Sequence, residues 1–216
     1  MMGLILSNLD VFEHGLLVSL ELSGFTFALA SLLGVVLAVC RISPVIPLRM
    51  LSRTYVGTLR SVPLLVLLIL FVFGLPEVGL VYSLFWTAVT AMSLYWAAFF
   101  CEVVRSGVRA VPKGQIEAGR AIGLTFGQVL RFVVFPQSLR SVVQPLASLL
   151  IAVTLNSSLA AAVGVTQELT GQTQLLDQQY AQPLVTFGAA AACYVALTLL
   201  IGQTAARLER RLVVQR

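Results

Sequence analysis

Residues Leu16–Cys40 read LLVSLELSGFTFALASLLGVVLAVC, with Glu21 as the only charge. As a helix rising 1.5 Å per residue, a run of this length spans roughly 37 Å, more than the ~30 Å hydrocarbon core of a bilayer. The apolar part of a cleavable signal is shorter and follows basic residues, and no Lys or Arg precedes Leu16. The stretch therefore reads as a transmembrane helix. Composition agrees: of 216 residues, 58% are hydrophobic and 11% charged, against about 25% charged in soluble domains. A chain this apolar has too few polar side chains to cover itself in water.

Four further apolar runs follow, Thr54–Gly74, Val81–Val104, Val142–Val165 and Leu184–Ala206. Each has about the 17–25 residues that a crossing requires. Asn156, Ser157 and Ser158 interrupt the fourth, which either ends there or continues as a broken segment. The expected fold is an all-α integral membrane protein of about five helices. Residues 1–15 would precede the bundle outside the cell, 16–211 would form it, and 212–216 would be a cytoplasmic tail.

The charges set an orientation. Between the first and second runs lie Arg41, Arg49 and Arg53, with Arg60 close by; Arg105, Arg109, Lys113, Arg120, Arg131 and Arg140 separate the third from the fourth. Arg207, Arg210, Arg211 and Arg216 follow the fifth. These are all fourteen basic residues of the chain, and five spans put every one on the same side. Asp10, Glu13, Glu77, Glu168 and Asp177 fall on the other side. By the positive-inside bias the basic side is cytoplasmic, so the N-terminus is outside and the C-terminus inside. The net charge of +5 then reflects topology and anionic lipid, and nucleic acid is not an expected partner.

Residues 105–141 are too polar to span the membrane yet carry helical signals. Pro112 suits a first helical turn, Gly123 separates two helical halves, and Pro136 closes the second. Ile116, Ala121 and Ile122 are apolar in the first half; Leu124, Phe126, Val129, Leu130 and Val133 are apolar in the second. By composition this is either a loop lying on the bilayer surface or an element that docks into a cytoplasmic protein.

The string EAGRAIGLTFGQVLRFVVFP, Glu117–Pro136, resembles the EAA loop of ABC importer permeases: Glu-Ala-Ala, three residues, Gly, nine residues, Ile-x-Leu-Pro. Glu117, Ala118, Gly123 and Pro136 match in register, while Gly119, Val133 and Phe135 are mild departures. YVGTLRSVPLL (Tyr55–Leu65), FFCEVVRSGVRAVPKGQIEAG (Phe99–Gly119) and FPQSLRSVVQPL (Phe135–Leu146) are similar to further motifs of the polar amino acid branch of that family. The likeness runs from about Gly15 to Arg211.

That resemblance implies a type I importer permease with a cytoplasmic coupling loop at about 112–136. Its partners would be a dimer of separate ATP-binding cassette subunits, a second permease subunit (identical or homologous), an extracytoplasmic substrate-binding protein and the lipid bilayer of a bacterial plasma membrane. The sequence has no GxxxxGK[ST] phosphate loop, so ATP and Mg would sit on the ATPase subunit and this chain would bind no cofactor. Polar amino acids would be the cargo, with glutamate, aspartate or glutamine leading; cationic amino acids, cystine and ectoine-like solutes stay open. The rival class is a free-standing secondary transporter or channel, for which inverted internal repeats would be expected; none is evident. Paired carboxylates, Ser/His arrangements and metal-spaced histidines are also lacking: His14 stands alone, and Cys40, Cys101 and Cys193 are spaced as packing residues.

The resemblance assigns coupling to Glu117, Ala118, Gly119, Gly123 and Pro136, with Arg120 and Gln128 as supporting contacts. Candidate pathway residues are the polar groups at membrane depth, since burying an unsatisfied one in lipid is costly. Glu21 either lines the pathway or snorkels outward. Thr87, Thr90 and Ser93 would share one face of the third span. Glu102 pairs with Arg105 across one turn or contacts the pathway, and Asn156, Ser157 and Ser158 cluster near the outer end of the fourth span. Arg60 and Pro63 would shape the entry of the second span, which Pro63 would kink. The family usually shows Lys where this chain has Leu155, which suggests a heterodimer of unequal halves. Gln167–Gln182 reads as an outer loop, either facing the binding protein or simply solvated.

Overall fold

The computed structural model describes the backbone of residues 2–212 and the side chains of residues 4–210, and every regular element among them is helical. Residues 213–216, with Arg216, and the side chain of Arg211 lie outside the described residues. A short helix α1 (Met2–Ser7) leads into α2 (Leu9–Ile42). The first span thus starts seven residues before Leu16. Phe12 and Gly15 are buried there on the bundle side, while Glu13 and His14 are exposed on the other, so two polar residues did not end the helix.

α2 lies against α5 (Leu84–Arg109), the most enclosed helix of the bundle. Leu22, Met92, Ala97 and Phe100 are buried between them, with Leu68 and Val153 joining from neighbouring helices. The two backbones approach closely at Gly34, where a Cβ would collide with Phe100.

The second apolar run is not one straight span. It divides into α3 (Ile46–Ser61) and α4 (Leu64–Glu77), which meet at 100°. Val62 and Pro63 between them are extended, with ψ of 134° and 136°. Proline forces its predecessor out of the helical region and cannot donate to the preceding turn. The expected kink is therefore a break, and the run Thr54–Gly74 straddles it.

A second correction concerns Pro136. Helix α6 (Lys113–Ala121) is followed by α7 (Phe126–Val129), a π turn (Leu130–Val134) and α8 (Phe135–Asn156), and the chain stays helical from Phe126 to Val163. Pro136 sits within the first turn of α8 and does not end a helix. The wide turn before it, in which Phe135 N–H donates to the Leu130 carbonyl, makes room for the ring and the missing donor. At its far end α8 tightens into a 3-10 helix (Ser157–Val163), which stops at Gly164 with φ +96°. The polar cluster thus marks a change of helix type within a continuous segment.

The outer-loop reading of Gln167–Gln182 is also corrected. It is helix α9 (Leu169–Tyr180), with Leu169, Gly171, Thr173 and Leu176 buried against α2 and α10 (Pro183–Leu212). Side-chain contacts tie the helix ends into two layers. Arg41 to Glu102 at 3.1 Å, Gly107 against Val142, and Gln144 to Glu209 at 2.6 Å join the basic ends. Gly15 against Leu169 and Ser19 bonded to Glu168 join the other end.

Candidate coupling loop and membrane-depth polar residues

The loop at the basic end is shaped by its own neighbours. Helix α6 closes in a Schellman motif: Gly123 N–H donates to the Arg120 carbonyl (3.0 Å) and Leu124 N–H to the Gly119 carbonyl (3.1 Å). Gly123 has φ +86°, a left-handed conformation that a Cβ disfavours. Two residues later Thr125 caps α7 in a capping box. Its Oγ1 accepts from Gln128 N–H, and Gln128 Oε1 accepts from Thr125 N–H at 2.8 Å. Gln128 is thereby held as a cap. Gly119 is buried and faces Leu124, Val129 and Val133, while Val111, Val129 and Val134 form a small core beneath the loop. Glu117, Ala118 and Arg120 are exposed, as are Ile122 at 79% and Phe126 at 67%. Pro136 is exposed at the start of α8, outside this helix pair.

Beside the loop, Glu102 engages two arginines. One carboxylate oxygen accepts from Arg105 Nη2 and, at 3.0 Å, Nε; the other lies 3.1 Å from Arg41 Nη2. The Glu102–Arg105 pair was legible from their three-residue spacing, and the fold adds Arg41 from α2. The carboxylate is thus a bridge between two helix ends. Arg60 stacks over the Phe99 ring, 5.4 Å from its centroid.

A family profile described as "Binding-protein-dependent transport system inner membrane component" matches residues 30–214. The chain belongs to that family. Among its relatives, "Probable glutamine ABC transporter permease protein GlnP" of Bacillus subtilis is 34% identical over 91% of each chain. "Glutamate transport system permease protein GluC" of Corynebacterium glutamicum is 33% identical over 92% of each. The crystal structure of an amino acid ABC transporter with histidines superposes with a TM-score of 0.91, at 27% identity and 96% coverage of both chains.

The polar residues at membrane depth in the permease are mostly satisfied by their own helices. Thr87 Oγ1 donates to the Ser83 carbonyl (3.1 Å) and Thr90 Oγ1 to that of Trp86 (2.8 Å). Thr87 and Ser93 are buried but Thr90 is exposed, so the three are not packed alike. Ser93 Oγ has no hydrogen-bond partner among the described residues. Asn156 donates to the Ala152 carbonyl (2.8 Å), Ser157 to that of Thr154 (2.8 Å) and Ser158 to that of Leu155 (2.7 Å). Such back-bonding bends helices and fits the tightening into a 3-10 turn here. Glu21 is exposed on α2, away from the buried Leu22 and Ser23. These candidates are spread over α2, α5 and the end of α8.

The permease has one polar centre that reading along the chain missed. Glu168, wholly buried, caps α9: Oε1 accepts from Gly171 N–H at 2.7 Å. Oε2 accepts from Tyr194 Oη at 3.0 Å and Ser19 Oγ at 3.3 Å, and Ser19 Oγ itself accepts from Leu169 N–H at 3.0 Å. No cation pairs with it among the described residues. Burial pushes its carboxyl above the usual glutamate range, and the donors from Thr170, Gly171, Tyr194 and Ser19 partly offset that. The partners are 149 and 26 residues distant in sequence, so no local pattern announces them.

Proposed function

We propose that the permease is one half of the membrane pathway of an ATP-driven importer for polar amino acids. The basic end faces the cytoplasm, and the loop at about 112–136 docks into a separate ATPase subunit. A second permease subunit completes the pathway, and an extracytoplasmic binding protein delivers cargo in the plasma membrane of a bacterium. One observation carries the docking role: a loop with its own small core exposes Ile122 and Phe126 beside Glu117 and Arg120.

The outward side of α6 mixes Glu117, Ala118, Arg120 and Ala121. A helix resting on lipid would segregate an apolar stripe from the charges; this one turns Ile116 and Gly119 inward. A mixed surface with two apolar anchors suits a protein cleft, where burying each anchor would contribute about 1.5–3 kcal/mol. Closure of the ATPase would then move α6 and α7 with α5 and α8, to which they are joined.

The relatives named for glutamine and glutamate make these, with aspartate, the leading cargo. Leu155, where the family usually has Lys, is exposed near the end of α8, and we read it as the mark of an unequal partner. The test is reconstitution of permease, ATPase and binding protein in vesicles, with labelled glutamate, glutamine and arginine offered in turn. Uptake of glutamate or glutamine that needs both ATP and the ATPase supports the proposal. Uptake by the permease alone would return the chain to the class of free-standing carriers, and full activity as a homodimer would remove the reading of Leu155.

A further inference from the structure

At the basic end the last turn of α2, the first half of α3 and the last turns of α5 border an open cavity of about 570 Å³, in which Arg49, Arg53 and Arg109 are exposed. Arg41, Arg49, Arg53, Arg105 and Arg109 line it, together with Ile42 and Met50. Glu102 holds Arg41 and Arg105. Among the described residues Arg49, Arg53 and Arg109 make no ion pair.

Two ordinary explanations account for part of this cluster. The positive-inside bias puts basic residues at this end, and Arg41 and Arg109 stand in the last turns of α2 and α5, where the helix dipole favours a cation. The dipole does not explain α3, and the bias sets the side but not the spacing of the arginines there. Arg49 lies in its first turn, where the dipole opposes positive charge. Arg49 and Arg53 are also one i,i+4 like-charge pair, and Arg105 and Arg109 are another. Such pairs destabilise a helix. Two of them converge on one cavity, and among the described residues Glu102 is the only carboxylate paired with its arginines.

We propose that this cavity binds the phosphate of an anionic phospholipid headgroup from the leaflet that the basic end faces. Phosphate is the group that several arginines recognise together, through forked and charge-assisted hydrogen bonds, and its charge relieves the repulsion between the pairs. The surroundings select a lipid over a soluble phosphate. Val36, Val39 and Ile42 on α2 and Leu48, Met50 and Leu51 on α3 are exposed apolar side chains that lead to the rim, a surface for acyl chains beside a basic headgroup pocket. The bound lipid ties the start of α3 to the ends of α2 and α5.

The test uses the permease assembled with its ATPase, in nanodiscs of phosphatidylcholine containing a minor fraction of phosphatidylglycerol. After mild delipidation, native mass spectrometry counts the phosphatidylglycerol that stays bound. The triple variant R49Q/R53Q/R109Q leaves the Glu102 bridge intact and should retain at least about tenfold less. Arg140→Gln, exposed on α8 outside the cavity, should retain as much as the unmodified chain. Equal retention in the triple variant overturns the proposal, and so does an equal loss with Arg140→Gln, which would reveal diffuse surface attraction. A second arm offers glycerol 3-phosphate in discs of phosphatidylcholine alone and follows labelling of Arg53 by an arginine reagent. Protection equal to that given by phosphatidylglycerol would make the site one for soluble phosphates and contradict a lipid occupant. If the triple variant fails to assemble, Arg53→Lys and Arg53→Gln take its place: lysine should keep most of the bound lipid and glutamine should lose it.

Discussion

The two ends of the permease solve opposite problems. At the basic end the loop from Lys113 to Val129 is held by bonds between near neighbours, a Schellman turn at Gly123 and a capping box from Thr125 to Gln128, and it leaves Ile122 and Phe126 in the open. At the other end, α8's 22 residues away (roughly 33 Å at 1.5 Å per residue), Glu168 draws Ser19, Gly171 and Tyr194 around a wholly buried carboxylate. Locally encoded structure can present a surface to another protein without help from the bundle. The buried network exists only once α2, α9 and α10 have met, so it reports on their assembly.

The contrast breaks most readily at Glu168. Glu168→Ala leaves the Gly171 N–H and two hydroxyls without their acceptor in a dry site, and should cost about 3 kcal/mol, read as a lowered unfolding midpoint of the purified protein. Gly123→Ala places a Cβ at φ +86° and should cost about 1–2 kcal/mol. Its effect should stay in the loop, as faster amide exchange over 113–129 with the bundle unchanged. Thr125→Ala removes one cap and should cost about 1 kcal/mol, with the same local signature. Global unfolding from either loop variant would show that the loop is part of the bundle's cooperative unit.

A finer contrast is in pH. The folded state holds the Glu168 proton to higher pH than the unfolded chain does. Its contribution is therefore complete below the ordinary glutamate value near 4.3 and is lost as pH rises through the raised folded value. Midpoints measured between about pH 4 and 8 should fall with pH through this group, and Glu168→Gln should flatten that portion. A profile unchanged by the substitution would mean that the donors around Glu168 cancel the effect of its burial. The smallest effect on stability belongs to Ile122→Asp, which should leave the midpoint unchanged and abolish ATP-dependent uptake.

How much of this was legible in the sequence follows the same division. Runs of apolar residues are long, redundant signals, and four of the five announced spans are there as long apolar helices, the second being a bent pair. Pro63 announced its break, but a window of hydropathy averages across a 100° bend. Pro136 misled because proline usually ends a helix, and a π turn absorbed it without a stop. Thr87, Thr90 and Ser93 step by three and stay on neighbouring sides of α5, but their burial, which neighbouring helices decide, differs at Thr90. In the loop, Gly123 was readable as a turn, whereas Gln128, read as a supporting contact, proves to be a cap with Thr125. Glu168 looked like a loop acid, since Ser19 and Tyr194 are neighbours only in the fold.

Transport driven by a separate subunit requires that the loop seat in an ATPase. A cysteine at Ile122 or Arg120, both exposed, in a chain whose native Cys40, Cys101 and Cys193 have been replaced, would be cross-linked to the ATPase subunit with and without ATP. A loop seated in the ATPase gives a cross-link whose yield or reach changes with nucleotide. No cross-link from any exposed position between Lys113 and Gln128, in a complex that still hydrolyses ATP, would contradict it.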